Sequence, residues 1–242
     1  MRSKIKLLLT RRDGVTNGQI EARLAGICTD LVARASDDLS FLRAYAVPDA
    51  DLYQTAAGAF DAADRPFDTL MDIILDGPGP ERLVPLFDGM AATLADLIDP
   101  ARSAALAGTE HPILPGNGPL LVIIANRRLP RFTHDGFIRY WIDYHGPFAR
   151  EHTPPEVGLG YRQFHTDVAA TEALLAGSGF AIGDFDGAAE CHYRDAEAVR
   201  MLMGMQEIVD EATEDEKGFV DHRRCVTSVL DVAFDGQGGV MA

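Results

Sequence analysis

Two β-rich apolar runs, one over 4–10 (Lys4, Ile5, Lys6, Leu7, Leu8, Leu9, Thr10) and one over 120–126 (Leu120, Leu121, Val122, Ile123, Ile124, Ala125, Asn126), each lead into paired arginines, Arg11-Arg12 and Arg127-Arg128. Short apolar runs of this kind predict strands. Each is followed by a helix signal, Thr16 ahead of Gln19, Ile20 and Leu24, and Thr133 ahead of Phe137, Ile138 and Trp141, because a threonine hydroxyl can accept from the free N–H groups of a first turn. Strand-like runs at 41–47 and 67–75 answer runs at 160–165 and 185–193. A second helix is predicted over 80–94 from Leu83, Leu86, Phe87, Met90 and Leu94, and its counterpart over 196–209 from Val199, Leu202, Met203, Met205 and Ile208, all near helical spacing. The segment 98–102 lines up with 220–224, and a strand over 225–234 closes the second copy.

Each half therefore reads β-α-β-β-α-β, the ferredoxin-like split-βαβ plan. The offset is 116 residues at the first strand and 122 at the last element, which divides the 242 residues into two modules, 1–112 and 119–242. Proline and glycine concentrate over 109–119, so the boundary is placed there, with Ile113-Leu114 able to finish the first copy's last strand instead. A four-stranded antiparallel sheet with helices on one face needs cover for the other. The expected fold is α+β, with two tandem modules packed sheet to sheet as an intramolecular pseudo-dimer.

Composition narrows the partners. With 47% hydrophobic and 24% charged residues the chain can bury a core. Its net charge of -15 is spread over both halves, with 11 basic and 17 acidic residues before Gly116 and 11 and 20 after it. No basic arm exists for nucleic acid or an anionic membrane, and neither is expected as a partner. Cys28, Cys191 and Cys225 are widely spaced and lack any CxxC pair, so they read as small buried residues. The N-terminal apolar stretch ends at Arg11 and is too short for a signal-peptide core, and no run suits a membrane span. A cytoplasmic protein, monomeric or homodimeric, is expected.

The halves differ in chemistry. His111 lies in the Pro/Gly segment, the other six histidines lie in the second half, and the only tryptophan is Trp141. At helical spacing Phe137, Trp141 and Tyr144 form an aromatic stripe, with His145 one turn beyond Trp141. Gly146-Pro147 is expected to end or bend this helix beside His145. Period-two alternation sets Tyr161, Gln163 and His165 on one face of the next strand. These side chains could line a ligand cavity in which His145 works as a general acid or base, or they could simply be core. His192 reads as structural, the acidic residues between Glu207 and Glu216 as a solvated helix end, and His134, His152 and His222 have no assigned role. Gly177-Ser178-Gly179 lacks the spacing of a nucleophile elbow, no dinucleotide loop is present, and the histidine spacing matches no metal motif. No metal and no cofactor are expected.

The stretch Arg127-Arg128-Leu129-Pro130, then Phe137, Trp141 and His145-Gly146-Pro147, then Tyr161 to His165, then Phe219-Val220-Asp221 resembles the EthD family of dimeric α+β barrel proteins over roughly residues 119–234. The first half keeps the plan without these residues and looks like a degenerate copy. The resemblance implies a ferredoxin-like barrel, grouped with oxidoreductase-type or cofactor-free enzymes of small hydrophobic or aromatic compounds. It raises His145 and His165 as the polar, catalytic pair, with Trp141 and Tyr161 as walls, while the aromatic stripe and the strand face add Phe137, Tyr144 and Gln163 as expected ligand contacts. A non-catalytic binding or accessory protein is the alternative.

Overall fold

A computed structural model describes residues 2–35, 38–47, 49–57 and 66–236. The first half runs β1 (Arg2–Leu9), α1 (Asn17–Arg34), β2 (Leu39–Ala46), α2 (Ala50–Ala57), β3 (Thr69–Asp76), α3 (Met90–Leu94) and β4 (Ala104–Leu114). The second runs β5 (Leu120–Asn126), α4 (His134–Tyr140), a π-helical turn (Trp141–His145), α5 (Gly146–His152), β6 (Gly158–Thr166), α6 (Val168–Ser178), β7 (Gly187–Tyr193), α7 (Ala196–Met203), α8 (Gln206–Glu216) and β8 (Val226–Asp235). Among the described residues no helix is long and apolar enough to cross a membrane.

The strands close into one barrel in the order β1-β3-β2-β8-β5-β7-β6-β4. Within each half the order is 4-1-3-2, as the split-βαβ plan requires, and all neighbours are antiparallel. The two sheets cover one another across the interior, and their edges also join, β2 to β8 and β4 to β6. Closure leaves these strands no open edge to present to another chain.

Alternation assigns the faces. Leu8, Leu42, Leu70, Leu106, Leu121, Phe164 and Leu230 pack together inside the barrel. Ile5, Leu7 and Leu9 face out, under Ile20, Leu24, Ile27 and Leu31 of α1, whose N-cap is the expected Thr16, locked by a capping box with Gln19. Both faces are covered, which is why the runs read as continuously apolar rather than alternating.

The interior also holds charges. Lys4 Nζ lies 2.9 Å from Asp72, 2.6 Å from Glu110 and 3.0 Å from Glu190, and Lys6 Nζ lies 2.7 Å from Asp72 and 2.9 Å from Glu190. Arg162 adds a third cation against the three carboxylates and also contacts His192. Burial by itself would lower the Lys4 pKa, but Asp72, Glu190 and Glu110 outweigh it and hold the amine charged. His192 therefore belongs to the barrel core, in line with its structural reading.

Besides the helix expected over 196–209, which breaks at Gly204-Met205 into α7 and α8, three sequence expectations change. The helix expected over 80–94 is two 3-10 turns, Pro80–Arg82 and Val84–Phe87, followed by the short α3. Pro85 removes a donor and Gly89 takes a left-handed φ of 70°, so the apolar spacing survives without a continuous helix. β4 reaches Leu114, so 109–114 is strand, and its proline, Pro112, sits beside a register shift against β6, where the lost ladder bond costs least. The connection is left to 115–119, where Gly116, at a φ of 149°, passes so close to Leu159 that an added Cβ would lie 1.9 Å from its carbonyl oxygen.

The third change is α6, which the sequence reading left without an element. It lies between β6 and β7, yet its Ala170 and Leu174 pack into the outer core of the first half. Reciprocally, α2 of the first half sends Leu52 and Ala56 into the core beneath α7. Each half lends the other a helix.

Candidate active site

Helix α4 starts at Thr133, whose Oγ1 accepts from the Gly136 N–H. The expected end at Gly146-Pro147 does not occur. Pro147 cannot donate, and its ring would crowd the carbonyl four residues back in an α-helix. The turn before it widens instead, the Gly146 N–H donates to the Trp141 carbonyl, and the chain continues into α5. A widened turn holds one extra residue. That residue rotates His145 onto the side of Phe137 and Trp141 and carries Tyr144 off it. His145 is 6% exposed and Tyr144 is 67% exposed. Tyr144 stacks on Tyr140 at 5.2 Å between ring centroids, off the side that carries Phe137, Trp141 and His145.

His145 is held by α8. Its Nδ1–H donates to Asp215 over 2.8 Å, and the Tyr140 hydroxyl donates to the other Asp215 oxygen over 2.7 Å. A carboxylate only accepts, so the proton on this side belongs to Nδ1. The His145 hydrogen bond is the largest influence on Asp215 and holds its carboxyl below the usual range against the opposing effect of burial. In turn that carboxylate pushes the Tyr140 phenol up to about 12. Nε2 of His145 lies 3.8 Å from Glu216 Oε1, and Glu216 Oε2 lies 3.1 Å from Nε2 of His222.

The outer face of β6 carries Tyr161, Gln163 and His165, all buried as the alternation requires. The Trp141 indole N–H donates to the Tyr161 oxygen over 3.0 Å, and Gln163 Nε2 donates to the same oxygen over 3.3 Å and to the Trp141 carbonyl over 3.0 Å. Both acceptor positions of the Tyr161 hydroxyl are thus filled, and among the described residues its own hydrogen meets no acceptor. Burial pushes this phenol well above its ordinary pKa, so it stays protonated. His165 Nε2 pairs with Gln163 Oε1 at 3.0 Å, and its ring stacks on His111 at 4.3 Å. Burial, then His111 and His134, push His165 down to about 3, so it is uncharged at neutral pH.

One cavity of about 150 Å³ lies between this sheet face and the helices α5, α7 and α8. Val122, Ile124, Phe148, Ala189, Leu202 and Val209 supply apolar wall, while His145, Tyr161 and Glu216 supply polar groups. Of the expected site residues, His145 and Tyr161 meet here. Phe137, Trp141, Gln163 and His165 do not line the cavity. They sit behind it, Phe137 and Trp141 packed in the core with Tyr161 and Phe219, and Gln163 and His165 tied to Trp141 and His111. The expected partnership of His145 with His165 is therefore an indirect one, through Gln163 and Tyr161. Helix and strand pack directly on each other at Phe137 and Trp141, which leaves no space beside these two rings.

Asp215 and Glu216 were missed, having been read as part of a solvated acidic end. The signal was present. Val209, Thr213 and Glu216 recur at helical spacing with Ile208 and Ala212, and this face of α8 covers the cavity. Ala56, from the first half, also lines it, so the first half supplies wall as well as fold. His152 lines the cavity too, with its Nδ1–H donating to the Phe148 carbonyl over 2.9 Å. His134 is a tie between α4 and the barrel, bonded to Asp186 and the Thr166 carbonyl, each at 2.9 Å. Among the described residues no three His, Cys, Asp or Glu side chains converge as a metal-binding group.

Comparison with known proteins bears on this half directly. Residues 129–223 match the EthD domain. The matched stretch lies within the second half and spans His145, Tyr161, Asp215 and Glu216. No curated protein matches the chain. Among solved structures, a Fusobacterium nucleatum protein provisionally assigned as a monooxygenase is similar at 9% identity and a TM-score of 0.50, covering 99% of this chain and 95% of that one. A protein provisionally assigned as a chlorite dismutase is similar at 11% and 0.51, covering 98% and 97%. A dye-decolorizing peroxidase from Bacteroides thetaiotaomicron is similar at 10% and 0.50, covering 95% and 92%. Likeness at this identity concerns the barrel, which extends over both halves around the EthD domain.

Proposed function

We propose that this protein is an enzyme that moves a proton on a small, largely apolar compound, with His145 as its general acid or base and no bound cofactor. The supporting observation is the pairing of His145 Nδ1 with Asp215 at 2.8 Å beside a largely apolar cavity. An ionised Asp215 holds the ring and stabilises the imidazolium that forms when Nε2 takes a proton. Tyr161 has a free O–H at the same cavity and can donate to a substrate oxygen on which negative charge develops. Isomerisation, dehydration, decarboxylation and the ionisation of a phenol that precedes its oxidation all require this proton step.

The test is turnover. Small hydrophobic phenols, ketones and lactones incubated with the protein and followed by mass spectrometry should yield a product, and Asp215→Asn should lower kcat by about a hundredfold or more with the fold unchanged by circular dichroism. Saturable binding of such compounds with no turnover by the wild-type protein would instead make the chain a binding or accessory protein.

A further inference from the structure

The polar groups of the cavity are few and directional, and together they describe a ligand. Tyr161 has a hydrogen to give and no acceptor position left. With its Nδ1 proton committed to Asp215, an uncharged His145 ring offers a lone pair at Nε2. A group that satisfies both must accept from one side and donate to the other, which is what a hydroxyl does. An ammonium could only donate, and a ketone could only accept.

Charge excludes a further class. Glu216 lines the cavity and Asp215 lies directly behind His145, whereas the described lining contains no lysine or arginine. Its two imidazoles are engaged, His145 with Asp215 and His152 with the Phe148 carbonyl. A carboxylate or phosphate brought in here would be buried beside like charge without a free cation. Size sets the last limit. Apolar protein cavities of about 150 Å³ hold a single benzene ring, and this one has a volume of about 150 Å³.

We infer that the cavity is a site for an uncharged compound of one ring bearing a hydroxyl, a simple phenol, whose oxygen accepts from Tyr161 and donates to His145, with Glu216 turning anions away. The inference rests on the acid-base reading above for the site but not for its measurement, since binding needs no turnover. The phenol class fits that reading, because transfer of the hydroxyl hydrogen to Nε2 breaks the O–H bond and leaves a phenolate beside the Tyr161 donor.

The experiment is calorimetric titration of the full chain with para-cresol, toluene, para-hydroxybenzoate, benzylamine and naphthol. para-Cresol should bind at least about tenfold more tightly than toluene, para-hydroxybenzoate and naphthol, as expected where a buried anion or hydrogen-bonding group goes unpaired or a second ring does not fit. Toluene, para-hydroxybenzoate or naphthol binding as tightly as para-cresol, or within about tenfold of it, overturns the assignment, whereas benzylamine, whose ammonium can pair with Glu216, serves only as the opposite-charge control. In Glu216→Gln the ratio of para-cresol affinity to para-hydroxybenzoate affinity should fall by at least about threefold. An unchanged ratio overturns the part given to Glu216, and the wild-type series stands as a test even where the variant does not fold. If the ranking fails while His145→Gln still abolishes turnover of some other substrate, the ligand class is wrong and the acid-base reading survives. If the ranking holds and nothing is turned over, the reverse is true.

Discussion

Lys6 Nζ on β1 lies 2.9 Å from Glu190 Oε1 on β7, an ion pair that joins the two halves through the centre of the barrel. Lys4 contacts the same carboxylate. Two of the chain's three lysines are thus fully buried, and each depends on its carboxylates to remain so. Glu190→Gln leaves one cation in excess in the interior and should cost about 3–5 kcal/mol in unfolding free energy. Urea denaturation measures it. A loss below about 1 kcal/mol, the range of an exposed pair, would show that the cluster is solvated.

Acid should weaken the fold before the carboxylates titrate. His192 is pushed down to about 4 by burial and then by Arg162, and His165 to about 3 by burial and then by His111, both from an ordinary 6.5. Below 6.5 the unfolded chain takes up these protons and the native state does not. Their stabilisation is therefore full above 6.5 and is lost as pH falls toward 4 and 3. His134 works in the opposite sense, since its bond to Asp186 raises it. A difference measurement isolates one group. Between pH 7 and pH 5, wild type should lose about 2 kcal/mol more stability than His165→Gln, as one pKa unit is worth about 1.4 kcal/mol. Equal losses would mean that His165 is already accessible to protons.

Gly187 carries the close approach of β7 to α4. A Cβ there would lie 2.3 Å from the Phe164 carbonyl oxygen and 2.6 Å from the Trp141 ring. Gly187→Ala should displace the indole and with it the Trp141 bond to Tyr161, at a cost of about 1–3 kcal/mol from overpacking. The sole tryptophan reports the change, so its emission should shift alongside the denaturation midpoint. An unshifted spectrum with wild-type stability would show that the helix accommodates the methyl freely.

The order of strands and helices was legible because it rests on period and punctuation. The runs at 4–10 and 120–126 and the caps Thr16 and Thr133 all occupy their predicted elements. The buried charges were not legible, since Lys4 and Lys6 alternate with Ile5 and Leu7 as exposed lysines would, and only barrel closure reveals that both faces are covered. At the site the sequence placed His145 and Tyr161 but took Tyr144 with them. The π-helical turn, forced where Pro147 meets a helix that continues, shifts the facing by one residue, and spacing rules for an α-helix cannot register that. Asp215 was hidden for a different reason. A carboxylate in an acidic helix has a solvated reading that composition favours, and its partner lies 70 residues away in sequence.

We assign the chemistry to the cavity-facing His145 and not to His165, and kcat/KM for His145→Gln and His165→Gln on one substrate, in variants with native circular dichroism, separates the two. A loss of about a hundredfold or more is expected for His145→Gln, the usual worth of a general acid or base, and a loss below about tenfold for His165→Gln, which acts only through Gln163 and packing. A larger loss at His165 than at His145 would contradict this assignment.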